Sequence, residues 1–197
     1  VFQGASATSG YAEMFRQVRA NFQFAIATRS GTVFAITSSE PAEGKTTLLT
    51  NLGVALALSG KRVVLVDSDL RRPTIHKLYG IDNQQGLSTM LSEPDTPLSG
   101  VVKVVAAGNS NVSVITSGPI PPNPAELLGS RNMGILLERL KQDYELVLLD
   151  SPPVGVVADA MIIASQADGM LIVAVLGETK ARALRESLKR LESAGGV

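Results

Sequence analysis

Residues 33–70, VFAITSSEPAEGKTTLLTNLGVALALSGKRVVLVDSDL, restrict the possible folds of this chain more than any other stretch. Residues 33–37 form a short β-branched and aromatic run, the composition of a strand buried on both faces. Residues 38–44 are turn formers. Lys45 and Thr46 then open what reads as an amphipathic helix, closed by Ser59-Gly60, a good C-terminal stop. Residues 62–66 are a second apolar strand, ending on Asp67-Ser68-Asp69. Strand, tight loop, helix and strand in direct succession call for a layered α/β arrangement.

The rest of the chain keeps that rhythm. Residues 10–28 read as one helix with Met14, Val18, Phe22 and Ile26 on its apolar side. Short helices are expected over 74–79 and 86–91, with a loop over 92–100. Residues 101–106 and 112–116 read as strands joined by a turn at Asn109-Ser110-Asn111. The proline-rich block at 117–124 excludes helix and interior strand. Helical periodicity returns at 125–128 and at 131–141, the latter on Ile135, Leu136 and Leu140. Residues 145–149 form an apolar strand that ends at Asp150. Residues 157–166 read as a helix, 169–176 as a buried strand and 179–193 as a final helix whose basic residues are spread around its surface. The expected fold is α/β, a mainly parallel sheet with helices on both faces.

The bulk numbers fit a single domain. At 197 residues the chain can bury a substantial core. Lys plus Arg and Asp plus Glu are balanced at 18 each, which gives no footprint for nucleic acid. There is no cysteine, so disulfides and thiolate metal sites are excluded. Residues 1–9 read as a tag and linker remnant, leaving 10–197 as the domain, which stops where a further strand is expected. His76, the only histidine, has no partner at ligand spacing and reads as structural or exposed.

The chemistry sits at strand ends. A loop of Ser39, Glu40, Pro41, Ala42, Glu43 and Gly44, followed by Lys45, Thr46 and Thr47 at a helix start, is a phosphate cradle. Its backbone N–H groups and the helix dipole converge on one anion. In the pattern G-x-x-x-x-G-K-[ST], Lys45 would reach the β- and γ-phosphates and the Thr46 hydroxyl would ligate magnesium. Ser39 stands at the position of the first glycine. Asp150 ends an apolar strand, and Pro152 and Pro153 prevent it from capping an immediate helix. A second magnesium-directed carboxylate is therefore expected there. Lys45, Thr46, Asp67, Asp69 and Asp150 all fall at carboxyl ends of strands, where such sheets bind ligands.

These motifs resemble the cytoplasmic kinase domain of bacterial tyrosine kinases that regulate capsule and exopolysaccharide export. That family lies within the deviant P-loop NTPases, which include partition and cell-division ATPases. SSEPAEGKTTLLTNLGVALA resembles its Walker A segment, VVLVDSDLRRP its second acidic motif and LVLLDSPPV its Walker B. GPIPPNPAELLGS is similar to a proline-rich block of the family. Glu13, Arg16 and Arg19 match the Glu-x-x-Arg-x-x-Arg helix through which members pack into rings; without the resemblance they read as a solvated helix face.

The resemblance implies ATP/ADP and Mg2+ as cofactors and tyrosine autophosphorylation between neighbouring subunits. It places Lys45, Asp67, Asp69 and Arg71 in catalysis, with Asp67 or Asp69 receiving the tyrosine proton. It places Thr46, Asp67 and Asp150 around the metal. The implied partners are further copies of the chain, a membrane-bound polysaccharide co-regulator and a tyrosine phosphatase, at the cytoplasmic face of the bacterial plasma membrane. Ala42 stands where the family usually has glycine; if φ is positive there, its Cβ costs about 1 kcal/mol. The family's tyrosine-rich tail has no counterpart, since the tyrosines are Tyr11, Tyr79 and Tyr144. Two other readings stay open: a positioning ATPase of the partition type, although residues 38–43 lack that group's extra lysine, and a non-catalytic ATP-binding assembly module.

Overall fold

The computed structural model describes residues 10–27 and 31–195. The expected tag at 1–9, the helix end at Thr28 and the final residues 196–197 lie outside them. Nine helices and six strands are described: α1 Gly10–Ala27, β1 Val33–Ser38, α2 Lys45–Leu58, β2 Val63–Asp67, α3 Ile75–Tyr79, α4 Leu87–Ser92, α5 Leu98–Val101, β3 Lys103–Ala107, β4 Ser110–Ile115, α6 Pro124–Leu128, α7 Arg131–Asp143, β5 Leu146–Asp150, α8 Asp159–Ala164, β6 Gly169–Val173 and α9 Ala181–Ser193. The strands form one sheet in the order β3-β4-β2-β5-β1-β6, parallel except for the β3–β4 hairpin. This is the expected P-loop NTPase architecture.

The central strands alternate between two cores, which is why their sequences are apolar without a break. Val33, Ala35, Val64, Val66, Val147 and Leu149 face one layer, built on α4, α6 and α7 through Leu91, Leu128, Leu136 and Leu140. Phe34, Ile36, Val63, Leu65, Leu146 and Leu148 face the other, built on Leu49, Leu52 and Leu56 of α2 and Phe22 of α1. Because β2, β5 and β1 are in parallel register, Asp67 lies beside Asp150 and Asp150 beside Ile36. All three strands thus deliver their carboxyl ends to one edge.

Several local expectations need correction. Helix α2 is not amphipathic: every residue from Leu49 to Ala57 is buried, because α1 covers the face turned away from the sheet. On α1 the inward residues are Ala12, Phe15 and Phe22, while Met14 is 59% exposed. Stripes through Met14 and through Phe15 both satisfy helical spacing, and the larger aromatic surface is the one buried. On α7, Met133 and Leu137 are buried and Ile135 is exposed. The hairpin turn falls at Gly108-Asn109, where Gly108 takes φ 64°, so Ser110 and Asn111 already belong to β4. Val101 ends α5 instead of starting a strand. Pro124 begins α6 at its first turn, where the missing N–H has no intrahelical partner to lose. Strand β6 is half-buried, as an edge strand should be, and ends at Val173.

Candidate nucleotide site

The cradle forms between β1 and α2. Gly44 caps α2 at φ 87° with no side-chain cap, and the first turn carries no acidic residue. The leading N–H groups are therefore free for an external anion. Ala42 takes φ 65°, the only positive value at a non-glycine among the described residues. Its Cβ thus carries the left-handed strain expected from the sequence. The loop is held from inside by Glu43, which accepts from the Glu40 N–H at 2.9 Å and from the Thr179 hydroxyl. Thr179 in turn accepts from the Val175 N–H at 2.7 Å. On the opposite side Gly155 runs along Ser39, with its N–H donating to the Ser39 carbonyl at 3.3 Å. A Cβ at Gly155 would lie 2.6 Å from that oxygen, so only glycine fits this approach.

Lys45 projects from the first residue of α2 into the carboxylates. Its Nζ lies 3.2 Å from Asp69 Oδ2 and 3.4 Å from Asp150 Oδ1. The Thr46 hydroxyl donates to Asp150 Oδ2 at 2.6 Å. Asp69 Oδ1 also accepts from the Arg72 N–H at 3.0 Å. Asp67 Oδ2 accepts from the N–H groups of Thr74 and Ile75, at 3.1 and 3.0 Å, and so anchors the start of α3. Its second oxygen is buried with no donor among the described residues.

This charge balance is unfavourable by itself. One ammonium faces three carboxylates in a site where Asp67 and Asp150 are fully buried. Burial, then the neighbouring Asp150 charge, pushes the Asp67 carboxyl up to about 7. Burial pushes Asp150 up to about 6, although Lys45 and the Thr46 hydrogen bond pull against it. Burial works to lower the Lys45 pKa, yet Asp150 and Asp69 outweigh it and hold the value above normal. A positive charge at this spot would relieve the excess.

The sequence candidates separate into three sets. Pro41, Ala42, Gly44, Lys45, Thr46, Thr47, Asp69 and Arg71 line one cleft of about 770 Å3. Ser39, Asp67 and Asp150 lie beneath it, closed off from solvent. Glu13 and Arg16 are elsewhere, on α1: they form a 2.5 Å ion pair with their side chains 70% and 45% exposed. Arg19, on the same helix, is half-buried, and its Nε donates to no acceptor among the described residues. Arg71 is held by Asp159, which accepts at 2.7 and 3.0 Å. Sequence reasoning missed Asp159 and Thr179. An acid in the apolar run VVADAMIIA is the only signal that marked the former, and nothing local marked the latter.

A family model described as an AAA domain matches residues 31–193. Tyrosine-protein kinase YwqD of Bacillus subtilis (strain 168) is 42% identical over 169 residues, covering 85% of this chain and 70% of YwqD. The chain belongs to the bacterial tyrosine-protein kinases. Its enzyme class is accordingly protein-tyrosine kinase. The solved kinase domain of the Escherichia coli tyrosine kinase ETK superposes with a TM-score of 0.87 at 35% identity, over 93% of this kinase chain and 71% of that one. The chain spans only 25% of the full tyrosine-protein kinase Etk of Escherichia coli (strain K12), at 36% identity. The septum site-determining protein MinD of Pyrococcus horikoshii OT3, solved with Mg-ADP, matches with a TM-score of 0.68 at 25% identity. It covers 84% of this chain and 67% of MinD.

Proposed function

We propose that this kinase domain moves the γ-phosphoryl group of MgATP onto tyrosine hydroxyls of neighbouring copies. The observation that carries the reading is the convergence of Lys45, Thr46, Asp69 and Asp150, linked by contacts of 2.6–3.4 Å at one sheet edge. The loop N–H groups and Lys45 bind and orient the triphosphate. Thr46, Asp150 and the donor-free oxygen of Asp67 form an all-oxygen set suited to magnesium. Bound there, magnesium would neutralise charge on the phosphates and on the buried carboxylates. Among the described residues no three His, Cys, Asp or Glu side chains form a ready-made cage, which fits an ion held largely by phosphate and water.

Asp69 lines the cleft whereas Asp67 lies beneath it, so Asp69 is assigned the acceptor proton. The tyrosine oxygen bonds to the γ-phosphorus as the bond from phosphorus to the bridging oxygen breaks. ADP leaves with that electron pair, and the phenolic proton passes to the Asp69 carboxylate. A phenol with a pKa of about 10 releases its proton only as that bond forms. Arg71, fixed by Asp159, stands over the same cleft for the charge on the transferring group.

The exposed Glu13 and Arg16, with Arg19, are assigned to contacts between copies in a ring. A membrane-bound co-regulator, an opposing tyrosine phosphatase, a place at the cytoplasmic face of the membrane and a role in capsule or exopolysaccharide export complete the proposal. No described helix is long and apolar enough to cross a membrane. Lys45→Met is the direct test, read by anti-phosphotyrosine blotting of the protein expressed in cells. Loss of the signal is expected, and phosphotyrosine retained at the wild-type level overturns the reading.

A further inference from the structure

A second groove, of about 440 Å3, opens beside the nucleotide cleft and shares Arg71, Arg72 and Thr74 with it. Its other wall is the proline-rich block, through Gly118, Pro119 and Ile120. That wall is fixed from behind, because Asn83 donates to the Gly118 carbonyl at 2.9 Å and accepts from the Gly118 N–H at 2.9 Å.

The groove carries an uncompensated positive charge. None of its lining side chains is acidic. Arg71 is neutralised by Asp159, whereas the exposed side chains of Arg72 and Lys77 have no ion pair among the described residues. The acids that flank this stretch in sequence are engaged elsewhere: Asp69 pairs with Lys45 and accepts from the Arg72 backbone N–H, and Asp82 accepts from the Gln84 N–H. Ile120 is 65% exposed on the facing wall and offers an apolar contact opposite the cations. Arg72 also lines the nucleotide cleft together with Asp69, so a chain lying on Arg72 is within reach of the carboxylate assigned to the acceptor proton.

We propose that this groove docks the acceptor segment, and that it selects an acidic polypeptide whose tyrosine is flanked by carboxylates and an apolar residue. The inference rests on the kinase reading for its meaning, although the docking can be measured without it. Positive charge at a short groove steers and orders an anionic chain, and an exposed apolar side chain on the wall facing the charges favours polypeptide over a bare polyanion.

The probe is a fluorescent peptide of glutamates and one isoleucine around a central phenylalanine, which binds without being phosphorylated. Anisotropy is compared for the wild type, Lys77→Glu, Arg72→Glu/Lys77→Glu and Ile120→Ser. Reversing two exposed charges should weaken binding about tenfold or more, Ile120→Ser should weaken it by a smaller factor, and added salt should weaken the wild type. The melting temperature and MgADP affinity of Lys77→Glu and Ile120→Ser should stay at wild-type values. Unchanged peptide affinity in the double variant overturns the proposal. So does tighter binding of a short single-stranded oligonucleotide that the peptide fails to displace. Acidic peptide bound through the groove without phosphotyrosine on a tyrosine version would sink the kinase reading and leave the groove. Phosphorylation with a peptide KM untouched by the charge reversals would do the opposite.

Discussion

Asp67→Asn should stabilise this protein above neutral pH while abolishing phosphoryl transfer. Asparagine keeps the shape, and its amide oxygen can still accept from Thr74 and Ile75, as Asp67 Oδ2 does. What it removes is an ionisation that the fold resists. In the unfolded chain the carboxyl titrates near its ordinary value of 3.8, and burial in the fold pushes it up to about 7. The folded state therefore holds a proton that the unfolded state has already released, so stability falls as pH rises between these values and levels off above about 7. A shift of this size corresponds to roughly 4 kcal/mol at 1.36 kcal/mol per pH unit, and relaxation around the buried group brings the expected gain to about 2–4 kcal/mol at pH 8. At about 2–4 °C per kcal/mol for a domain of this size, the melting temperature should rise by roughly 5–15 °C. At pH 4 the two proteins should melt within a few degrees of each other. The assay is thermal denaturation from pH 4 to pH 8 in EDTA, which keeps divalent cations from stabilising the carboxylate, alongside phosphotyrosine formation at pH 8. A variant that melts lower than wild type at pH 8, or whose gain does not change with pH, refutes the account of Asp67 as a buried carboxylate held against its preference.

Two further substitutions probe the supports of the cleft. Asp159→Asn removes the charge that fixes Arg71 by two hydrogen bonds of 2.7 and 3.0 Å. Turnover should fall by about tenfold to a hundredfold through misplacement of the guanidinium while ADP affinity changes far less, and equal losses in both would show that Arg71 acts in ground-state binding. Thr179→Val deletes the links from Thr179 to Glu43 and to the Val175 N–H. It should cost about 1–3 kcal/mol of stability and weaken ADP binding measured by calorimetry; unchanged affinity would show that the cradle does not depend on this strut.

Much of the site was legible because its determinants are local. A strand, a turn-rich loop and a helix start declare themselves within a dozen residues, and Lys45, Thr46 and Asp150 needed only the rule that ligands bind at carboxyl ends of strands. The burial of α2 was not legible, because it depends on α1 folding back over a helix that already faces the sheet. For the same reason Met14 was assigned to the core in place of Phe15: helical spacing admits both stripes, and only the partner surface chooses between them. Asp159 and Thr179 meet Arg71 and Glu43 across 88 and 136 residues of chain. No periodicity encodes such pairs. The distinction between Asp67 beneath the cleft and Asp69 in its wall is likewise tertiary, since Asp67 is claimed by the N–H groups of Thr74 and Ile75 and Asp69 by Lys45 and Arg72.

Two features that oppose stability meet at this one edge. Ala42 holds a left-handed backbone at a cost of about 1–2 kcal/mol. Asp67 and Asp150, adjacent in the sheet register, are fully buried acids with raised pKa values. The leading N–H groups of α2, like those of α3 to α9, have no side-chain cap and stand open to an anion. A sheet that needed only to be stable would place a neutral pair at those strand ends and glycine in the left-handed turn. Each departure makes sense in the presence of a phosphate group and a divalent cation, because the anion satisfies the N–H groups and the cation reverses the preference of the carboxylates. The left-handed alanine, alone of its kind among the described residues, and the paired buried acids fall in one cleft around a single lysine, which is a physical argument for nucleotide chemistry that stands without the likeness to any relative.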